Sequence, residues 1–294
     1  MSGGSMRYGT GMLLVVAAGV LWSVQGLVFR QIDTAGTWAV LFWRSVGMLP
    51  VLLAFLAYRA GGSPVPAIRQ VGLAGALGGI GLVAAFAGAI YSIQVTTIAN
   101  AVFLFAASPF LTALIGWVVL GERVRGETWA AIGVALVGIF VMVREGLHGG
   151  AMAGNVAALL SALGFAVFTV SLRWRKLTDT LPSVLMGGVF SIIVGAAVAS
   201  MLGQTLAVPV SDAVWAMAMG AVTLSGGMVL YTLGSRVVPA AELALLSNIE
   251  VMLAPLWVWA FLGETASANT FLGGAIILVA VMMNGVSGAR RRLA

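Results

Sequence analysis

The segment Trp117-Val118-Val119-Leu120-Gly121-Glu122 recurs 142 residues later as Trp259-Ala260-Phe261-Leu262-Gly263-Glu264. At the same shift Leu104 falls on Leu246 and Thr128 on Thr270, and at a shift of 143 Gly11 falls on Gly154 and Arg30 on Arg173. The chain therefore carries one pattern twice, which divides it into residues 6–148 and 149–294. Each Leu-Gly-Glu closes a long apolar run. Glycine suits the residue just past a helix end, so both motifs read as helix-ending corners whose Glu sits at water.

Outward from these corners the apolar character hardly breaks. Of 294 residues 61% are hydrophobic and 8% are charged, against about 45–50% and about 25% in an ordinary soluble domain. So little charge cannot cover a water-facing surface, and the chain is expected to be an integral membrane protein. A spanning helix needs roughly 20 mostly apolar residues. Ten such runs are present, near Tyr8 to Phe29, Thr37 to Tyr58, Val71 to Ile93, Ile98 to Leu120, Thr128 to Val143, Asn155 to Leu172, Leu181 to Leu202, Ala213 to Gly234, Pro239 to Leu262 and Thr270 to Val286. The expected fold class is thus all-α and polytopic, with ten transmembrane helices and short connections that leave no room for a soluble catalytic domain. Residues Met1 to Ser5 read as an expression remnant, and the first apolar run as a retained helix rather than a cleaved signal.

The basic residues orient the chain. With the N-terminus cytoplasmic, twelve of the 15 Lys+Arg residues lie on the cytoplasmic side, Arg30 and Arg144 lie outside, and Arg44 is inside the second run. Such asymmetry places both termini in the cytoplasm. Tyr8, Trp38, Tyr58, Trp129, Trp174 and Trp215 fall near run ends, as interfacial rings do. Five runs per copy is an odd number, so the second copy must enter from the opposite face. The result is a pair of inverted five-helix repeats, an architecture of transporters with a site near the midplane.

The net charge of +6 belongs to this cytoplasmic bias, and nucleic acid is set aside as a partner. With no cysteine and the single His148 there is no residue set for a thiol nucleophile or a metal cluster. No cofactor motif is present. No G-x-x-x-x-G-K-[S/T] loop, His-Glu-x-x-His or Ser-His arrangement occurs, which disfavours ATP drive within the chain and an intramembrane enzyme on lipid-like substrates.

Ser108-Pro109-Phe110 through Glu122-Arg123, Gly133-Val-Ala-Leu-Val-Gly138, and Glu250 through Thr265 resemble the paired signature of EamA-type members of the drug/metabolite transporter superfamily. The resemblance covers nearly the whole chain and is most like the YddG-like exporters of aromatic amino acids. It implies a secondary transporter of the bacterial inner membrane that exports small metabolites by alternating access. One departure stands out: Glu250-Val251 replaces the usual Glu-Pro, with Pro255 one turn later, which displaces any kink in the ninth span. Alternatives are a multidrug or cation exporter of the same superfamily and a passive uniporter or channel.

Only Arg44 and Glu250 place charge well inside spans. Such residues are costly in lipid and face the protein interior, water or each other. Arg44 can hold a substrate carboxylate through its planar fork, or it can fix packing by bonding backbone carbonyls or Glu250. An arginine there also matches the wider family, whose substrates vary. Glu250 is either a carrier of a coupling proton or a structural acceptor. Gln25, Asn100 and Asn248 can recognise amino and carboxyl groups, and Thr169 is a further polar candidate, although interhelical hydrogen bonds explain many such residues. Trp22, Phe86, Tyr91, Phe103, Phe165, Tyr231 and Trp257 offer rings for an apolar substrate side chain. Trp22 and Phe165 gain weight as matching positions of the two copies. Gly75 with Gly79, and Gly72 with Ala76, give the spacing for close helix approach.

Overall fold

The computed structural model describes residues 8–149, 152–177, 179–238, 243, 246 and 249–290. Asn248, Glu242 and Met1 to Ser5 lie outside the described residues, as does the His148 side chain. All regular structure in the described residues is helical. Among the described residues, nine helices are long and apolar enough to cross a membrane: α1 Tyr8–Phe29, α2 Thr37–Ala60, α3 Val65–Val95, α4 Ile98–Leu120, α5 Gly126–Arg144, α6 Met152–Trp174, α7 Leu181–Met201, α8 Val210–Gly234 and α10 Ala268–Gly285. The ninth in chain order, α9 Ile249–Leu262, is shorter among the described residues. The sequence expectation of ten apolar helices with short connections is matched to this extent.

The doubled corner forms as its residues require. Gly121 and Gly263 take left-handed φ values of 66° and 65°, a conformation that costs a residue with a Cβ. The amides of Glu122 and Glu264 turn back to the carbonyls of Gly116 and Val258, at 3.3 and 3.2 Å, which satisfies acceptors that a helix end leaves free. The carboxylates do not simply sit at water, however. Glu264 is held by Arg30 and Glu122 by Arg173.

Helix α3 packs along α6, and α1 along α8; α2 lies against α7 and α5 against α10. Further contacts run between α3 and α7, α2 and α8, α4 and α6, and α1 and α9. Exchanging each helix for the one five places away leaves these pairings unchanged. Glycines permit the tightest of them. A Cβ on Gly81 of α3 would lie 2.7 Å from the carbonyl oxygen of Gly164 on α6, and a Cβ on Gly138 of α5 would lie 2.6 Å from that of Gly273 on α10. Gly75 faces Ser183 and Gly79 faces Phe190 on α7, as close-approach spacing requires. Gly72 is different: its backbone is non-helical at φ 51°, ψ −142°, and a Cβ would meet nothing within 4 Å. It breaks α3 near its start and does not pack a neighbour.

Asp212, in the first turn of α8, ties down the α1–α2 connection. Its Oδ2 accepts from the Thr34 amide, the Thr34 hydroxyl and the Ala35 amide, each at 2.9 Å, and the residue is 2% exposed. Removing the carboxylate would strand the buried Ala35 amide and leave the Thr34 amide and hydroxyl without their acceptor, so Asp212→Ala is expected to lower stability by roughly 2 kcal/mol. Thermal unfolding in detergent measures this, and an unchanged melting temperature would show that water replaces the carboxylate without loss.

Candidate functional site

Three helices are interrupted near mid-length. In α1 the helix stops at Ser23 and resumes at Gln25. In α4 it stops at Phe105 and resumes at Ser108, beside Pro109, which has no amide hydrogen to give. In α8, Met219–Gly226 is wound as a π-helix. There the hydroxyls of Thr223 and Ser225 donate back to the carbonyls of Met219 and Gly220, at 2.6 and 2.9 Å. Irregular backbone at membrane depth is tolerated where it is buried in protein or lines a cavity.

These interruptions surround a cavity of about 250 Å³. Its wall takes Trp22, Gln25 and Phe29 from α1, Arg44 from α2, Phe86 and Ser92 from α3, Phe105 from α4, Ser161 and Phe165 from α6, Met219 and Met228 from α8, and Glu250 from α9. The two in-span charges therefore share one chamber.

Arg44 is 5% exposed, and its Nε and Nη2 have no hydrogen-bond partner. Its guanidinium carbon lies 4.2 Å from the centroid of the Phe86 ring. A cation over a ring face is attracted to it, but that contact leaves the N–H edge free to bind. The structural role weighed from the sequence, bonding to backbone carbonyls or to Glu250, is not what these two nitrogens do. The ion pairs among the described residues are Arg30–Glu264, Arg59–Asp179, Arg125–Glu127 and Arg173–Glu122, and neither Arg44 nor Glu250 enters one.

The rings are set by their neighbours. Trp22 donates from Nε1 to the Leu224 carbonyl at 3.5 Å and lies 5.6 Å from the Tyr231 ring. Phe165 lies 5.6 Å from Phe105, edge to face, and 5.7 Å from Phe168. Ser161 spends its hydroxyl on the Ala85 carbonyl at 2.6 Å, so it fixes α6 on α3 and offers the chamber no donor.

Of the sequence candidates, Trp22, Gln25, Arg44, Phe86, Phe165 and Glu250 line the chamber. The structure places the others elsewhere. Asn100 is buried and bonds Asn155 and Thr96, joining α4 to α6. Phe103 packs α4 on α10 at Gly274. Thr169 donates its hydroxyl back to the Phe165 carbonyl of its own helix, 2.9 Å away. Tyr231 stands behind Trp22. Trp257 donates to the Ser23 hydroxyl at 2.9 Å and holds α9 on α1. Tyr91 faces a separate groove of about 690 Å³ along the α3–α6 seam.

The profile of the EamA-like transporter family matches residues 9–144 and matches again at residues 152–286. The chain belongs to this family. Among proteins similar to this EamA-like transporter is the pseudopaline exporter CntI of Pseudomonas aeruginosa, 26% identical over 277 residues, covering 92% of this chain and 94% of the relative. An uncharacterized transporter of Archaeoglobus fulgidus is 28% identical over 196 residues, 66% of this chain and 69% of the relative. Human solute carrier family 35 member G1 is 23% identical, covering 92% and 77% of the two chains. One solved crystal structure superposes with a TM-score of 0.66 at 20% identity, over 94% of this chain and 97% of that one, and shares its fold.

Sequence reasoning about this EamA-like transporter passed over Phe105, Ser92, Met219 and Met228. Phe105 ends the first segment of α4, just before the break at Ala106-Ala107. The Ser108-Pro109 pair was the available signal. Ser92 is fully buried and its hydroxyl has no partner, but nothing distinguishes it from other in-span serines by sequence.

Proposed function

We propose that this protein is a secondary transporter of the bacterial cytoplasmic membrane, exporting amino acids with aromatic or apolar side chains by alternating access. The observation that carries the reading is the unpartnered, buried guanidinium edge of Arg44 in a small ring-lined chamber that also holds Glu250. An arginine fork matches a carboxylate, a carboxylate matches an ammonium, and Trp22, Phe105 and Phe165 offer surface to an apolar side chain. At about 250 Å³ the chamber is below the roughly 300 Å³ at which drug-sized pockets begin, so a small metabolite suits it. Export is the direction of the pseudopaline exporter relative.

Alternating access rests on two inverted five-helix halves, residues 6–148 and 149–294, with both termini cytoplasmic. The repeat in sequence, the two family matches and the helix pairings that survive exchange of the halves support it. Glu250 is the carboxylate placed to couple a proton to substrate. The chain's own work is then to bind, orient and expose a solute, with no chemical step.

Counterflow with purified protein in liposomes tests the substrate. Labelled phenylalanine, tryptophan and leucine are expected to accumulate in vesicles preloaded with the unlabelled amino acid, with a pH-gradient arm reading proton coupling. If a cationic drug moves and no amino acid does, cation export replaces this reading and the fold stands.

A further inference from the structure

We propose that Arg30–Glu264 and Arg173–Glu122 are reciprocal latches, one at each end of the helix bundle, that seal the chamber alternately. The inference rests on the alternating-access reading above. Arg30 follows α1 and meets Glu264 just past α9; Arg173 near the end of α6 meets Glu122 just past α4. The repeat shifts that align Arg30 with Arg173 and Glu122 with Glu264 thus relate one pair to the other. Each pair joins an arginine of one half to a glutamate of the other. They lie at opposite ends of the bundle, because Glu264 bonds the first residue of α4 and Glu122 lies just beyond its last.

The two latches are in different states. All three guanidinium nitrogens of Arg30 are engaged: Nε with Glu264 Oε2 at 2.8 Å, Nη1 with the Ile93 carbonyl at 2.9 Å, and Nη2 with the Thr96 carbonyl at 3.1 Å. The second oxygen of Glu264 accepts from the Ile98 amide at 2.7 Å. The side chains are 26% and 18% exposed. Arg173 instead meets Glu122 through Nη2 alone, with side chains 47% and 36% exposed. Phe29 and Ile93, which abut the Arg30 network in sequence and by hydrogen bond, line the chamber. The tight latch therefore sits directly behind the chamber wall and closes it at that end. A half-buried, fully bonded charge network has two discrete arrangements rather than a continuum, made or broken. Exchange of shape between the halves would give Arg173 the full network and leave Arg30 with the exposed single bond.

The chain has no cysteine, so one introduced thiol reports sidedness without background. Ala89 lines the chamber from α3 and is half-buried, and Ala89→Cys is reacted with a membrane-impermeant methanethiosulfonate in vesicles of each orientation. Glu264→Gln in that background is expected to raise the labelling rate from the Arg30 face about tenfold, since bonds to a charged group are lost, and to lower it from the other face. Glu122→Gln is expected to shift the rates the opposite way. Arg30→Lys keeps the charge but not the fork and is expected to fall between wild type and Glu264→Gln. If the thiol reacts from both faces and neither glutamine variant alters the two rates, the latch is overturned while alternating access stands. If it reacts from a single face in every variant, alternating access fails and the latch with it. Equal losses of thermal stability with unchanged sidedness would make both pairs static staples and also overturn the proposal.

Discussion

Arg44→Leu is expected to weaken substrate binding about 10- to 100-fold while leaving thermal stability in detergent unchanged or higher. Hydrogen bonds to a charged group contribute about 1.5–3 kcal/mol, and each 1.4 kcal/mol is about tenfold in affinity. The direction of the stability change separates binding from packing. An arginine inside a span costs at least about 2.5–3.5 kcal/mol on insertion scales, and here Nε and Nη2 have no partner to offset it. The Phe86 ring at 4.2 Å returns part of that cost, as desolvated cation–ring contacts do. Leucine removes the charge and keeps an apolar stem in the wall. Arg44→Lys should bind with intermediate affinity, because an ammonium is a point charge without the planar fork. Ligand titration and melting curves on the same preparations read both quantities. A protein that melts earlier yet binds normally would assign Arg44 to packing alone.

The in-span charges were legible because an ionised group in an apolar run has few places to go, and Arg44 and Glu250 do reach the same chamber. Trp22 and Phe165 were legible for another reason: the repeat equates them, and equated positions flank a shared centre. Asn100 was not legible, since a buried amide satisfies itself equally well against a ligand or against another amide. Asn155, 55 residues away, is what decides it. Glu264 shows the limit most clearly. As a helix corner its φ-demanding neighbour Gly263 could be read locally, but its carboxylate is spent on Arg30, 234 residues away. Both residues stood in the repeat alignment without any sign that they meet. Local conformation follows from local residues, whereas a pairing across the halves depends on the packing angle of ten helices. The place of Phe105 in the chamber wall has the same origin, because period alone cannot foresee where α4 breaks.

Gly220→Ala is expected to be the most damaging single methyl group in the chamber's surroundings, at about 3 kcal/mol or more. Overpacking a tight contact costs about 1–3 kcal/mol and occasionally more when nothing can move aside. Here nothing can. A Cβ on Gly220 would fall on the carbonyl oxygen of Arg44, lie 2.8 Å from its carbonyl carbon and stand 3.0 Å from the Met48 amide nitrogen. The same seam is tight from the other side, where a Cβ on Gly47 would fall on the Met217 carbonyl oxygen and lie 2.6 Å from its Cα. Both obstacles are backbone, so no rotamer relieves them and α2 must move off α8. That motion carries Arg44 with it, so any folded Gly220→Ala protein should also bind substrate poorly. Gly133→Ala in α5 is the control: a Cβ there meets nothing within 4 Å, and alanine favours a helix over glycine by about 1 kcal/mol, so its melting temperature should hold or rise. If the two alanine variants melt alike, the backbone contact between α2 and α8 is not as close as described, and the position of Arg44 does not depend on it.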